Sequence, residues 1–336
     1  MKKVLITGVG GYIGSNTAYL LLQRGFRVTG IDNFTTGFRQ PLYYLENKFS
    51  REKFQFYHRS MGEDLEDIFQ THTDIEAIIH FAACTSVPDS IQSPDTYFTN
   101  NVSGGQHVIS TAHRHNVRKI IFSSTCATYG HAKYTPIDEK HPQNPTNPYG
   151  LSKLMIEQML EWYDKSHGFK YLAFRYFNVT GASTDGEIGD SKNPSPHLVQ
   201  NALRGAMGIA PFVLQSGTNN PTPDGTPIRD YVDVVDLAEA HLMGVEYLLN
   251  GGKSEAINLG TAVGSSVLEA IKTVETVTGR KLEVSEDNSR LGEDPILVAS
   301  NAKAKQILNW SPQRTLTHSI QSLMKWYGKH PHGWDE

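Results

Sequence analysis

Gly8-Val9-Gly10-Gly11-Tyr12-Ile13-Gly14 decides the fold of this chain. Immediately before it, Lys3-Val4-Leu5-Ile6-Thr7 is a short apolar, β-branched run, the pattern of a buried strand. Immediately after it, Ile13, Thr17, Leu20, Leu21 and Leu22 predict a helix over residues 12–24. Glycines at a strand-to-helix turn let the backbone approach a pyrophosphate, whose charge the free N–H groups and positive dipole end of the helix stabilise. The next strand, over 26–31, closes on Asp32-Asn33, about 20 residues beyond the glycines. A carboxylate there accepts from a ribose 2′-hydroxyl and repels a 2′-phosphate, so the pattern points to NAD rather than NADP.

Outward from this unit the same alternation continues. Strand patterns recur at 54–58, 77–81 and 119–123, with helical patterns over 63–71 and 95–115. Alternating units of this length predict an α/β fold, a Rossmann doubly wound parallel sheet covered by helices. Asn147-Pro148 opens a further helix as a good cap followed by a first-turn proline, and Gly168 stops it after about Lys165. Residues 171–175 form another strand, and beyond 177 the texture changes. Residues 181–196 and 216–227 are rich in Gly, Ser, Asp and Pro, as binding loops often are. An amphipathic helix over 316–328 closes the chain. The expected organisation is an NAD-binding domain over 1–176 and a smaller mixed α/β domain over 177–336, with late segments able to return to the first.

Composition narrows the function classes. The chain has 336 residues, 31 Lys+Arg and 35 Asp+Glu, hence a formal charge of −4. A mildly acidic chain carries no global drive toward nucleic acid or anionic membrane. The two cysteines, Cys84 and Cys126, form no Cys-x-x-Cys, which excludes a zinc ribbon or disulfide scaffold. His330 and His332 near the terminus read as a solvated tail, so no metal site is expected. The opening apolar stretch is too short for a signal peptide, and no run approaches the roughly 18 apolar residues of a membrane span. A cytoplasmic protein in a reducing compartment is expected.

Tyr-x-x-x-Lys occurs three times, at Tyr44/Lys48, Tyr129/Lys133 and Tyr149/Lys153. Only the last sits at the capped helix start, where positions four apart share a face. A hydride-transfer enzyme acting on an alcohol needs a base near the carbinol, and a free Tyr titrates near 10, too high for efficient use. The Lys153 ammonium and a cationic nicotinamide are expected to lower Tyr149. Thr125 is expected to hydrogen-bond the same substrate oxygen.

Gly8-x-x-Gly11-x-x-Gly14 with Tyr149-x-x-x-Lys153 resembles the extended short-chain dehydrogenases/reductases. His80-Phe81-Ala82-Ala83, Asn100-Asn101-Val102, residues 124–130, Arg175-Tyr176-Phe177-Asn178 and above all residues 223–231 resemble the UDP-glucose (UDP-galactose) 4-epimerases from end to end. The resemblance implies that Tyr149 removes the sugar 4-OH proton while NAD takes the C4 hydride. The resulting 4-keto sugar then swings about its pyrophosphate and is reduced on its other face. It implies cofactor contacts at Gly8, Gly11, Tyr12, Ile13, Gly14, Asp32, Asn33, Phe34, Thr35, Thr36 and Gly37. Further contacts fall at Ser60, Met61, Phe81, Ala82, Ala83, Thr85, Asn100, Ser123, Tyr149, Lys153, Tyr176 and Phe177. UDP-sugar contacts are implied at Thr125, Tyr149, Asn178, His197, Leu198, Leu214, Gln215, Ser216, Arg229, Arg290, Glu293 and Leu297, and a homodimer is implied through helices 95–115 and 149–165. The chain departs from the family pattern at Ser60 (an acid expected), Thr85 (a lysine), Ser216 (an aromatic over uracil) and Glu293 (Asp). Leu297 takes the gatekeeper place beside the sugar.

Other readings share the fold. A nucleotide-sugar 4,6-dehydratase needs an acid and a base after Thr125, where Cys126-Ala127 stands. A GDP-sugar epimerase-reductase could use Cys126 but wants NADP, which Asp32 opposes. A non-catalytic dinucleotide sensor has no need of Thr125, Tyr149 and Lys153 together. Within the epimerases, UDP-N-acetylhexosamine, UDP-pentose or UDP-uronate are alternative substrates.

Overall fold

The structure, a computed structural model, describes residues 1–193, 195–214, 220–282, 285–286 (backbone only) and 294–334. In chain order its first elements are β1 (Lys3–Thr7), α1 (Tyr12–Gln23), β2 (Arg27–Asp32), α2 (Gln40–Lys48), β3 (Phe54–His58), α3 (Glu66–Thr71) and β4 (Ala77–His80). Then come α4 (Val87–Gln92), α5 (Pro94–Tyr97), a π-helical segment (Phe98–Gly104), α6 (Gly105–Arg114), β5 (Lys119–Thr125), α7 (Pro148–His167) and β6 (Lys170–Tyr176). They are followed by β7 (Asn178–Thr180), α8 (Leu198–Ala206), β8 (Val213–Leu214), β9 (Ile228–Asp233), α9 (Val234–Leu249) and β10 (Glu255–Leu259). The last are β11 (Gly264–Ser266), α10 (Val267–Thr278), β12 (Ser285–Glu286), β13 (Ile296–Leu297), α11 (Ala302–Leu308) and α12 (Leu316–Lys329).

Seven strands form a parallel sheet in the order β10-β6-β5-β4-β1-β2-β3. The order reverses beside β1, so the glycine turn lies at the switch point where α/β folds bind ligands. β1 is buried at every position, as its unbroken apolar run requires. One face of the sheet is sealed by α3, α6 and α7, through Ile68, Phe69, Val108, Ile109, Ile156 and Leu160. The chain divides into two compact units that are not consecutive in sequence. The first comprises Met1–His131, Pro142–Arg175 and Ala238–Ile257; the second comprises Ala132–His141, Tyr176–Leu237 and Asn258–Glu336. In the second unit β11, β9, β13 and β7 form a small sheet, and α8, α10 and α12 pack around Leu203, Ile271 and Trp326.

Two elements differ from the sequence expectation. The single helix expected over 95–115 is α5, a π-helical turn and α6 in succession. The wide turn carries Asn101, whose amide bonds the N–H and carbonyl of Cys84 and the hydroxyl of Ser152. Such outward demands on a helix are what π turns accommodate. Helix α2 was not anticipated; its mean hydropathy is low, and only Pro41, Leu42 and Leu45 are buried. It makes Tyr44/Lys48 helical as well, with Lys48 Nζ 2.6 Å from the Tyr44 hydroxyl, but on the surface.

Candidate active site

The glycines are required by close approach. Gly8 has φ +72°, and a Cβ there would lie 2.6 Å from Ala82 N; one at Gly14 would lie 2.2 Å from the Gly8 carbonyl oxygen. Gly11 caps helix α1 without a side-chain hydrogen bond, and the first turn carries no acid that would repel an anion. Asp32 accepts from Gly10 N at 2.8 Å and Phe34 N at 2.7 Å. Burial raises its pKa, opposed by those two bonds and by His58. A carboxylate has about four lone-pair sites, so these bonds leave acceptor capacity on Asp32. Gly37 folds against Gly10 and Asp32, Phe38 N donates to Gly10 O at 2.9 Å, and Asn33 Nδ2 donates to Ser60 Oγ at 3.2 Å. Thr35 and Thr36 are exposed, whereas Met61, Tyr176 and Phe177 are buried. A cradle that any Cβ would fill, above a helix start with no side-chain cap, fits a dinucleotide pyrophosphate.

The end of β5 and the first turns of α7 bring Ser123, Thr125, Tyr149 and Lys153 together. Asn147 Oδ1 accepts from Gly150 N at 2.8 Å, fixing the turn that carries Tyr149. Burial raises the Tyr149 hydroxyl well above its ordinary pKa; a hydrogen bond from Thr125 pulls it down, and Cys126 and Tyr97 push it up. Lys153 is 2% exposed, and burial lowers its ammonium to about 7, opposed by Cys84 and Glu157. Its Nζ donates to the Ser123 carbonyl at 2.7 Å. Lys153, one turn along α7 from Tyr149, is thus fixed with its ammonium on the Ser123 carbonyl. Two buried groups here escaped sequence reasoning. His80, 1% exposed, bonds Thr7 Oγ1 at 2.6 Å, and burial with the nearby Lys153 charge holds its pKa down at about 3. Glu157 and Arg175 form a buried ion pair at 2.5 Å. A carboxylate eight positions from Tyr149 on the buried face of a helix was the available signal for Glu157.

In the second unit the small sheet collects several of the residues that the sequence resemblance assigns to the UDP-sugar. Asn178 is paired with Tyr231 across β7 and β9, and Leu297 with Arg229 across β13 and β9. Register partners share a face, as do positions two apart on β9, so Asn178, Tyr231, Arg229 and Leu297 lie on one face of this sheet. Arg229, 9% exposed, donates to the carbonyls of Ile228 at 3.0 Å and Asp294 at 2.9 Å. His197 stands at the start of α8, with Leu198 next to it, and burial lowers its imidazole pKa. Leu214 is buried in β8, which pairs with β12. Gln215, Ser216, Arg290 and Glu293 lie outside the described residues. Among the described residues no cluster of His, Cys, Asp and Glu could hold a metal ion.

A glycine cradle thus lies at the switch point of the sheet, and a buried Thr-Tyr-Lys group stands where β5 ends and α7 begins. A profile of the NAD dependent epimerase/dehydratase family matches residues 4–260. The chain belongs to that family. Among its members, the UDP-glucose 4-epimerase of Lacticaseibacillus casei is 40% identical over 334 residues, 99% of each chain. A crystal structure of a UDP-glucose 4-epimerase superposes with a TM-score of 0.93 at 38% identity over 100% of both chains. That of the Bifidobacterium longum UDP-glucose 4-epimerase, in complex with NAD+ and UDP, gives 0.92 at 32% identity over 99% of this chain and 100% of that one.

Proposed function

We propose that this member of the epimerase/dehydratase family is an NAD-dependent 4-epimerase interconverting UDP-galactose and UDP-glucose. The observation that carries the reading is the Thr125–Tyr149–Lys153 group, formed by the end of β5 and the start of α7 in the same unit as the Gly8-Gly11-Gly14 cradle. Bound NAD supplies a reversible hydride acceptor. Its pyrophosphate would sit over Gly11–Gly14, and its ribose would meet Asp32. Tyr149 takes the proton from the sugar 4-hydroxyl and returns it after the keto sugar has turned. Thr125 orients the Tyr149 oxygen, and Lys153 supplies positive charge that favours the phenolate. Asn178, His197, Leu198, Arg229 and Arg290, the last outside the described residues, would contact the nucleotide, and the guanidinium forks of the two arginines suit its diphosphate.

The assignment extends to a homodimer through the helical segments around 95–115 and α7, and to the cytoplasm. In support, Trp162 on α7 is 66% exposed, Cys84 and Cys126 form no disulfide, and no described helix is long and apolar enough to cross a membrane.

The deciding experiment is conversion of UDP-galactose to UDP-glucose by purified protein with no NAD added. Conversion supports the reading and shows that NAD co-purifies. No conversion despite NAD released on denaturation moves the assignment to another UDP-sugar, N-acetylhexosamine, pentose or uronate. Leu297, partly buried beside Arg229, is the position to vary. Leu297→Tyr is expected to reduce turnover of UDP-N-acetylgalactosamine more than of UDP-galactose, and equal losses would remove Leu297 from the sugar pocket.

A further inference from the structure

Three successive residues at the end of β5 are each tied to one of three successive turns of α7. Thr125 is hydrogen-bonded to Tyr149, the Ser123 carbonyl accepts from Lys153 at 2.7 Å, and Ser124 Oγ donates to Glu157. The first two ties belong to the chemistry proposed above. The third does not, yet it is the most completely built. Ser124 is 1% exposed, Glu157 6% and Arg175 4%.

Glu157 accepts at both carboxylate oxygens. Arg175 on β6 gives Nε to Oε1 at 3.0 Å and Nη2 to Oε2 at 2.5 Å, the two-pronged geometry that fixes direction as well as distance. Gln143 adds Nε2 to Oε2 at 3.2 Å, and Ser124 completes the set of four donors. Arg175 uses its other Nη on the buried Tyr129 hydroxyl at 2.9 Å. Apolar side chains of similar volume would stabilise such a site at least as well, because burying the two charges costs heavily in desolvation. The pair instead imposes a unique setting: α7 can neither slide nor rotate on β5 and β6 without breaking several charge-assisted bonds at once.

We propose that Glu157 is a positioning residue for the reaction. Held by Ser124 and Arg175, its carboxylate sets the height and rotation of α7 that bring Tyr149 against Thr125 and Lys153 against Ser123. Rate is sensitive to such settings, since a shift of about 1 Å in a reacting group can cost on the order of 100-fold. The inference rests on the 4-epimerase reading.

The test compares NAD-loaded wild type with Glu157→Gln and Ser124→Ala. Glu157→Gln keeps the size but cannot accept the Arg175 fork on both sides. Ser124→Ala removes only the link to β5 and leaves the Glu157–Arg175 pair in place. In Glu157→Gln, kcat for UDP-galactose is expected to fall about 10- to 100-fold while KM stays within about twofold. In Ser124→Ala the fall in kcat is about fivefold or more, with bound NAD and Tm close to wild type. Crystal structures of both variants should show the Tyr149 hydroxyl displaced from Thr125. Retained kcat in both, a rise in KM with kcat unchanged, or lost kcat with the Tyr149–Thr125 bond in place would overturn the proposal. If Glu157→Gln does not fold, Ser124→Ala decides. If wild type epimerises no UDP-sugar, the functional reading fails, and the displacement of Tyr149 in the variant structures alone upholds or overturns the positioning role.

Discussion

Tyr149 titrates under opposed influences. Burial raises its pKa and the Thr125 bond lowers it, while Lys153, held down at about 7, bonds the Ser123 carbonyl. Tyr149→Phe should retain NAD and bind UDP normally yet lose epimerisation by orders of magnitude, because the proton acceptor is gone; steady-state turnover beside UDP titration checks this. His80 gives a second residue-scale prediction. It is neutral in the fold, with a pKa of about 3 against an ordinary 6.5. Between those values the unfolded chain binds the extra proton, so the contribution of His80 to stability is complete above 6.5 and is lost as pH falls toward 3. Guanidinium midpoints from pH 7 to pH 4 should therefore fall less steeply for His80→Gln than for wild type. Parallel slopes would show that His80 is protonated in the fold. At this scale the candidates Gly8, Asp32, Thr125, Tyr149 and Lys153 could be picked out in sequence, since they carry their own spacing. Glu157 and His80 were not, because their significance lies in partners 33 and 73 positions away.

Helix α7 shows how an element delivers a side chain. Asn147 caps it, Pro148 opens it, and Gly168 ends it in the left-handed region at φ +66°. These signals are local, and each was readable in sequence. The Asn147 cap lies two residues before Tyr149, and Asn147→Ala should cost about 1 kcal/mol of stability. It should also lower kcat by loosening the turn that carries the phenol. A thermal melt with matched kinetics checks both, and a lowered Tm with unaltered kcat would make the cap purely structural. The loop over 181–196 shows the opposite case. Its composition announced a loop and nothing about its shape. Trp326 Nε1 donates to the Asp190 carbonyl at 3.0 Å, Lys329 Nζ to the Asp185 carbonyl at 3.1 Å, and Trp334 N to Ser191 Oγ at 3.1 Å. Helix α12 and the tail thus fasten this loop at Asp185, Asp190 and Ser191, by contacts more than 130 positions apart in sequence.

For the whole molecule, exposed apolar groups on α7 bear on the proposed pairing through α7 and the helical segments around 95–115. Leu151 is 40% exposed and Trp162 66%. Light scattering at micromolar concentration should give a dimer mass, and Trp162→Glu should shift the population toward monomer; a monomeric wild type would count against pairing through these helices. The sequence by itself determined the alternating α/β order, the glycine turn with its acid, and the capped helix bearing Tyr149 and Lys153. All of these are set by periodicity, caps and backbone sterics within a few residues. Only the tertiary structure decided which strands border one another, that segments 132–141 and 238–257 exchange units, and that Asn178, Arg229 and Leu297 share one sheet face. It also decided that Lys153 addresses a carbonyl and that a buried Glu157–Arg175 pair sets α7 on the sheet. Such features arise from burial and long-range pairing, whose energies depend on what surrounds a residue in space rather than on its neighbours along the chain.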